Sequence, residues 1–300
     1  MLRYLLTTLV CLVGLAEPGI SAVVTPCQNP STAACRYTKG LLWKIERPGQ
    51  KPSYLFGTIH LADARVTTLP EPVRTAFETS RSFTMELIAD GEGLMHIAET
   101  MFFNDGRTLE TTIGAPRYAE VKQILVARGM PIDDLNRKKP WAVTMVLSMP
   151  PQKAGIALDF QLQMQATLSG KPTYGLETMR EQISVFNDLP ITDQIALLDA
   201  TLRQQQTSAK LLERMTQAYI ARDLTGIQAV MDASGIDDRR VHNTVMERLL
   251  ANRNDRMLER MRERLAEGDA FIAVGAGHLP GEHGLLALLE RAGWRISAIY

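Results

Sequence analysis

With 33 Lys and Arg against 33 Asp and Glu in 300 residues, the chain is electrically balanced. That excludes the basic footprint of a nucleic-acid binder and the polybasic run of a membrane-surface protein. An aromatic content of 6% leaves too few rings for a stacking platform, while 45% apolar residues suffice for one large core.

Residues 1–22 read as a signal peptide, with Arg3 before an apolar stretch from Leu5 to Leu15, a break at Glu17-Pro18-Gly19, and small residues at Ser21 and Ala22. The stretch is shorter than the roughly 20 residues that span a bilayer, so cleavage is expected, leaving no membrane anchor. The expected destination is the periplasm or the exterior. Cys11 lies inside the apolar stretch behind Val10, which speaks against lipid attachment. Residues 23–40 carry Cys27 and Cys35, which an oxidising compartment would join as a disulfide staple; two unpaired thiols are the alternative.

From Leu41 the chain reads as one α/β domain to residue 300. Leu41–Glu46 and Ser53–Phe56 flank the turn Arg47-Pro48-Gly49-Gln50 as a hairpin, and the second strand runs into Gly57-Thr58-Ile59-His60. A helix opened by Pro70-Glu71-Pro72 follows, then a short strand Ser82–Leu87 that carries Glu86 near its end. Helices are expected over Met95–Phe103, Tyr118–Ala127, Pro140–Leu147 and Leu158–Leu168, the last stopped by Gly170 and Pro172. Thr173–Leu176 reads as a buried strand that delivers Glu177. Residues 190–267 show helical periodicity only, and their methionines, at helical spacing, read as core filling. Ala270–Val274 is an apolar run suited to a central parallel strand, leading into Gly275-Ala276-Gly277-His278. A helix Glu282–Arg291 and a strand Trp294–Tyr300 close the chain. The expected fold is therefore a mixed central sheet with flanking helices and a large helical insertion between the two Gly-x-x-His halves.

The chemistry sits at predicted strand ends, where open α/β sheets bind ligands. Gly57-x-x-His60 and Gly275-x-x-His278 each end a strand, and only five histidines are present in all. Glu86 and Glu177 end two more strands, where a desolvated carboxylate needs a cation, a metal or hydrogen-bond donors. Two imidazoles and two carboxylates form an N/O ligand set suited to a divalent transition metal such as Mn, Co or Zn. The alternative for either Glu is a solvent-facing or Arg-paired side chain. Arg253, in Asn252-Arg253-Asn254, or Arg256 after it is expected to pair a carboxylate or hold a substrate oxygen, the alternative being a solvated helix face, which suits Arg256 better than Arg253; Glu181-Gln182 lies one turn past Glu177. His96 and His242 lack ligand spacing, and His283 reads as a capping or surface residue. No Gly-x-Ser-x-Gly, His-Glu-x-x-His or phosphate-loop motif is present, and Pro280 stands where a dinucleotide fingerprint needs its third glycine.

Taken together, Tyr54-Leu55-Phe56-Gly57-Thr58-Ile59-His60-Leu61, Lys139-Pro140-Trp141, Gly170-Lys171-Pro172, Gly175-Leu176-Glu177-Thr178, Asn252-Arg253-Asn254 and Val274-Gly275-Ala276-Gly277-His278-Leu279-Pro280-Gly281 resemble the signatures of the TraB/PrgY/GumN family. The resemblance runs from about Leu41 to the C-terminus. It implies a mixed α/β fold whose two Gly-x-x-His motifs and acidic residues share one pocket, and a kinship with the metal-dependent Tiki-type proteases. Carried onto this sequence, it implies His60, Glu86, Glu177 and His278 as metal ligands, with Glu177 and Arg253 in catalysis. The expected activity is a metal-dependent hydrolase, a peptidase in the first instance, with a peptide or small molecule as substrate. The rival is a non-catalytic protein that sequesters such a ligand.

Overall fold

The computed structural model describes residues 36–149, 155–233 and 235–300. The signal-like segment and Cys11, Cys27 and Cys35 lie outside the described residues. The hairpin forms as its turn residues require. Strand β1 (Leu42–Glu46) pairs antiparallel with β2 (Ser53–Thr58) across a turn in which Gln50 N–H donates to the Arg47 carbonyl at 3.1 Å and Gly49 takes a φ of 79°. Helices α1 (Ala64–Thr67) and α2 (Glu71–Thr79) lead to β3 (Ser82–Leu87).

The long excursion that follows is helical. It comprises α3 (Gly91–Thr100), α4 (Leu109–Ile113), α5 (Ala115–Ala127), α6 (Pro140–Ser148) and α7 (Leu158–Leu168). Strand β4 (Thr173–Glu177) returns the chain to the sheet. The second helical stretch holds α8 (Met179–Asn187), α9 (Ile191–Gln204), α10 (Ser208–Ile220), α11 (Leu224–Asp232) and α12 (Arg239–Met246). One π-helical turn, Glu247–Ala251, joins α12 to α13 (Asn252–Glu267). Then come β5 (Ala270–Gly275), a 3₁₀ turn over Ala276–His278, α14 (Leu285–Arg291) and β6 (Arg295–Ala298).

The six strands form one mixed sheet in the order β4-β3-β5-β2-β1-β6. The four from β4 to β2 are parallel, and the β1 edge is antiparallel on both sides. All six residues of β3 and of β5 are buried, as strands covered on both faces must be. Phe77, Phe83 and Phe271 pack edge-to-face and offset at centroid distances of 5.4–6.4 Å and tie α2 to the centre of the sheet. A satellite core of Leu109, Ile113, Val121, Leu125, Val143, Val146, Leu198 and Leu202 joins α4, α5, α6 and α9 into a lobe of the insertion. The methionines behave as expected, since Met257 and Met261 are fully buried in the main core.

Three helix starts differ from the sequence expectation, α5 beginning at Ala115 ahead of Tyr118. Helix α3 begins at Gly91, ahead of Met95, because the Asp90 carboxylate accepts from Gly93 N–H at 2.6 Å and caps the first turn. The last helix begins at Leu285 instead of Glu282, because residues 280–284 close a tight turn in which Gly284 N–H donates to the Gly281 carbonyl at 3.0 Å. Gly57 owes its identity to packing: a Cβ there would lie 2.7 Å from Leu279 and 3.1 Å from Ala276. The second Gly-x-x-His segment therefore rests on the backbone of the first. Among the described residues no helix is long and apolar enough to cross a membrane.

Candidate functional site

Strand register brings the four strand-end residues together. β2 and β5 are parallel neighbours with Thr58 opposite Gly275, so the His60 and His278 segments leave the sheet side by side. β3 lies on the other flank of β5, and β4 beyond it with Glu177 opposite Leu87. Glu86 reaches across to the end of β5, where Gly275 N–H donates to its Oε1 at 2.5 Å. His278 Nε2 lies 3.6 Å from the same oxygen. Glu86, Glu177, His278 and Arg253 thus belong to one network, and His60 lines the same cavity as Glu86.

His60 and His278 are held in the same way. His60 Nδ1 lies 2.8 Å from Asp159 Oδ2, and the other Asp159 oxygen accepts from the Thr58 hydroxyl. A carboxylate beside Nδ1 places the proton there and leaves Nε2 to face the site. His278 Nδ1 lies 2.6 Å from Asn254 Oδ1, while Asn254 Nδ2 donates to the His283 carbonyl at 2.7 Å and lies 3.4 Å from that of His278. Those two acceptors fix which end of the amide meets the ring, so His278 Nδ1 also carries the proton. Its Nε2 is a bare lone pair on a 1% exposed residue and has no hydrogen-bond partner. A buried polar atom left open is costly and needs a reason.

The two carboxylates differ. Glu177 is enclosed: Arg253 Nε donates to its two oxygens at 3.1 and 2.9 Å and Nη2 to Oε2 at 2.7 Å. Arg256 Nη1 adds a bond at 3.3 Å and Gln182 Nε2 another at 3.3 Å. Arg253 itself is 1% exposed, gives Nη2 to Glu86 Oε2 at 2.7 Å, and spends Nη1 on the Leu249 carbonyl at 3.2 Å. Glu177 and Arg253 therefore form a buried clamp that grips Glu86 from behind. Sequence alone left open whether the strand-end carboxylates meet Arg or metal, and Glu177 meets Arg.

Electrostatics sort the groups further. Burial favours a neutral His60, yet the charge and hydrogen bond of Asp159, with help from Glu86, outweigh it and lift the imidazole to about 9. His278 goes the other way: burial, seconded by Arg253 and His60, overrides the pull of Glu86 and brings it down to about 3. Burial would raise Glu86, but the surrounding charges, of which Arg253 is the permanent one, and the Gly275 N–H hold it down at about 2. The metal-free site thus contains an anion in Glu86, a neutral imidazole in His278 and an imidazole in His60 that holds its proton.

A cavity of about 30 Å³ opens at the polar cluster, large enough for one or two waters. His60, Glu86, Asp159 and Gln182 form its polar side, and Met85, Leu87, Ala89 and Phe160 its apolar side. His278 stands behind Glu86 and does not line it. Among the described residues no three or more His, Cys, Asp or Glu side chains are grouped as a preformed metal cage. The donor chemistry nonetheless fits a divalent metal, because two imidazoles are each oriented through Nδ1 by an acceptor, the orphaned Nε2 of His278 lies next to an ionised carboxylate, and His60 lines the same cavity as that carboxylate.

Sequence reading missed Asp159 and Asn254. Asp159 looks like an ordinary acidic first-turn residue of α7, and its partners Thr58 and His60 lie about a hundred residues away. Asn254 sits next to Arg253 in the Asn-Arg-Asn triplet that sequence reading singled out, so its signal was present without its role. Arg256, the second arginine of that helix, is half-buried against Glu177 and Glu181 and so also pairs a carboxylate.

Residues 41–298 match the family model described as the TraB/PrgY/gumN family. A Danio rerio protein named Metalloprotease TIKI2 is 27% identical over 85% of this chain and 60% of its own length. Metalloprotease TIKI1 of Homo sapiens is 25% identical over 89% of this chain and 64% of its own length. The uncharacterized protein YbaP of Escherichia coli K12 is 26% identical over 82% of this chain and 90% of its own length. The chain thus spans less than two thirds of these Tiki relatives. No solved structure matches it.

Proposed function

As the chain belongs to the TraB/PrgY/gumN family, we propose that its site is that of a metal-dependent hydrolase acting on peptide bonds. The observation that carries this reading is the matched pair of imidazoles, each with Nδ1 committed to an acceptor, together with the unpartnered Nε2 of His278 beside ionised Glu86. His60, His278 and Glu86 would hold the metal, which supplies the Lewis acidity that activates water and polarises a carbonyl. Mn, Co and Zn all suit this N/O donor set. Asp159 keeps the His60 proton on Nδ1 and aims the ring. Asn254 does the same for His278. Arg253, fixed by Glu177, holds Glu86 ionised and in place, so both act on the site from behind instead of touching substrate. Gln182, on the cavity wall, presents a neutral amide to a bound peptide. The Tiki relatives, metalloproteases by name, support the same chemistry. The signal-like N-terminus supports a periplasmic or extracellular location for this activity.

A second reading, a protein that sequesters a peptide without cleaving it, draws on the lack of a preformed three-ligand grouping among the described residues. Protein purified without chelator or affinity tag separates the two. Elemental analysis should find close to one transition metal per chain, and added Mn, Co or Zn should raise the melting temperature of wild type by mass action. Leu286→Ala, at a fully buried core position, should lose roughly 2–5 kcal/mol yet keep that metal response. His60→Ala and His278→Ala should lose it. A wild type indifferent to all three metals, with both His variants melting early, would return the histidines to a purely structural role.

A further inference from the structure

Helix α7 carries apolar residues on two opposite faces. Leu158, Leu162 and Ala166, spaced by four, are at most 1% exposed and anchor the helix to the core. Phe160, Met164 and Leu168 have the same spacing two positions on, which is about 200° round the helix. This second row faces outward: Met164 is 46% and Leu168 84% exposed, and half-buried Phe160 lines the cavity beside His60 and Glu86. An amphipathic surface helix keeps its outer face polar and charged. Here no residue from Phe160 to Gly170 is charged, and the row is interleaved with the amides of Gln161, Gln163 and Gln165.

The row starts at the candidate site and runs away from it for eight residues, or about 12 Å. That length matches three or four residues of extended peptide at roughly 3.3 Å each. Apolar side chains alternating with amides suit such a strand, the former taking its side chains and the latter its backbone. A charged segment would find no counter-ion among residues 160–170. We propose that this face of α7 is the substrate track, taking three or four uncharged, predominantly apolar residues on one flank of the scissile bond, with Phe160 at the residue next to that bond. The inference rests on the peptide-site reading above and narrows it to a class of peptide.

Two fluorescein-labelled peptides test it, identical except that one flank is a Leu/Val run in the first and a Ser/Asn run in the second. Binding to the full chain is read by anisotropy, and cleavage by mass spectrometry with Mn, Co or Zn. Met164→Gln with Leu168→Gln should weaken binding of the apolar peptide about tenfold or more and leave the polar one unchanged. Both positions are exposed, so the melting temperature should hold. Val126→Gln, at a 56% exposed site on α5, serves as the control and should change nothing. Phe160→Ala should relax the preference at the residue beside the cleaved bond. Equal losses on both peptides, or none, would overturn the track. So would a wild type that is dimeric where the double variant is monomeric, since the face would then belong to a second copy. Cleavage without flank preference removes the track and leaves the hydrolase. Flank-dependent binding without cleavage leaves the track and removes the hydrolase. Neither binding nor cleavage removes both.

Discussion

Arg253→Met is the most informative single change, because it removes one cation from between two buried anions. The guanidinium is 1% exposed and gives four hydrogen bonds to Glu86 and Glu177, whose residues are 7% and 5% exposed. Met fills comparable volume, so the cavity term is small and the loss is electrostatic. Removing one partner of a buried ion pair costs about 3–5 kcal/mol, since the remaining charge cannot be rehydrated. At about 2–4 °C per kcal/mol for a chain of this size, the melting temperature should fall by roughly 6–20 °C at pH 7. The deficit should shrink with acid: without Arg253, which helps hold Glu86 ionised, that carboxyl takes up its proton at a higher pH than in wild type, and protonation relieves the repulsion. Adding Glu177→Gln should recover part of the loss, a coupling that a double-mutant cycle of urea midpoints measures directly. A penalty below about 1 kcal/mol, or one independent of pH, would refute the clamp.

Two further outcomes concern the imidazoles. Asp159→Asn should weaken metal binding about 10–100-fold, as loss of a ligand-orienting carboxylate does, read by competition with a chromophoric chelator; unchanged affinity would separate Asp159 from the site. The pH response follows from His60, whose metal-free value of about 9 lies above its ordinary 6.5. A raised value means that the proton favours the fold, so this contribution is complete below pH 6.5 and is lost as pH climbs through 9. Melts of chelated protein should decline across that window and lose the step in Asp159→Asn, while metal uptake improves as the competing proton leaves.

The strand ends were legible from sequence because Gly, His and Glu after short apolar runs are local patterns. The register of β2 against β5 and of β3 against β4 then placed all four together, as the two-sided burial of Ala270–Val274 implied. The division of labour within the cluster was not legible. Whether a strand-end Glu meets Arg or metal depends on a helix that arrives 76 residues after Glu177 and 167 after Glu86. Asp159 was hidden for the same reason, its only local signature being that of a first helical turn. The outer row of α7 could be read as periodic, but only burial shows which of its two apolar faces the core uses.

Strand β5 sits between β3 and β2, and it is made after both. Until residues 270–275 emerge, β2 and β3 have no common neighbour and each presents an open edge. Closing the sheet means pairing Leu55 with Ile272, 217 positions apart, a contact of the kind that slows folding. The same step delivers Gly275 to Glu86 and His278 to its neighbours. A chain still being synthesised therefore holds His60 and Glu86 with no second imidazole and no N–H to fix the carboxylate. Assembly of the sheet and assembly of the site are one event, since neither is complete before β5 and the turn that carries His278 are in place.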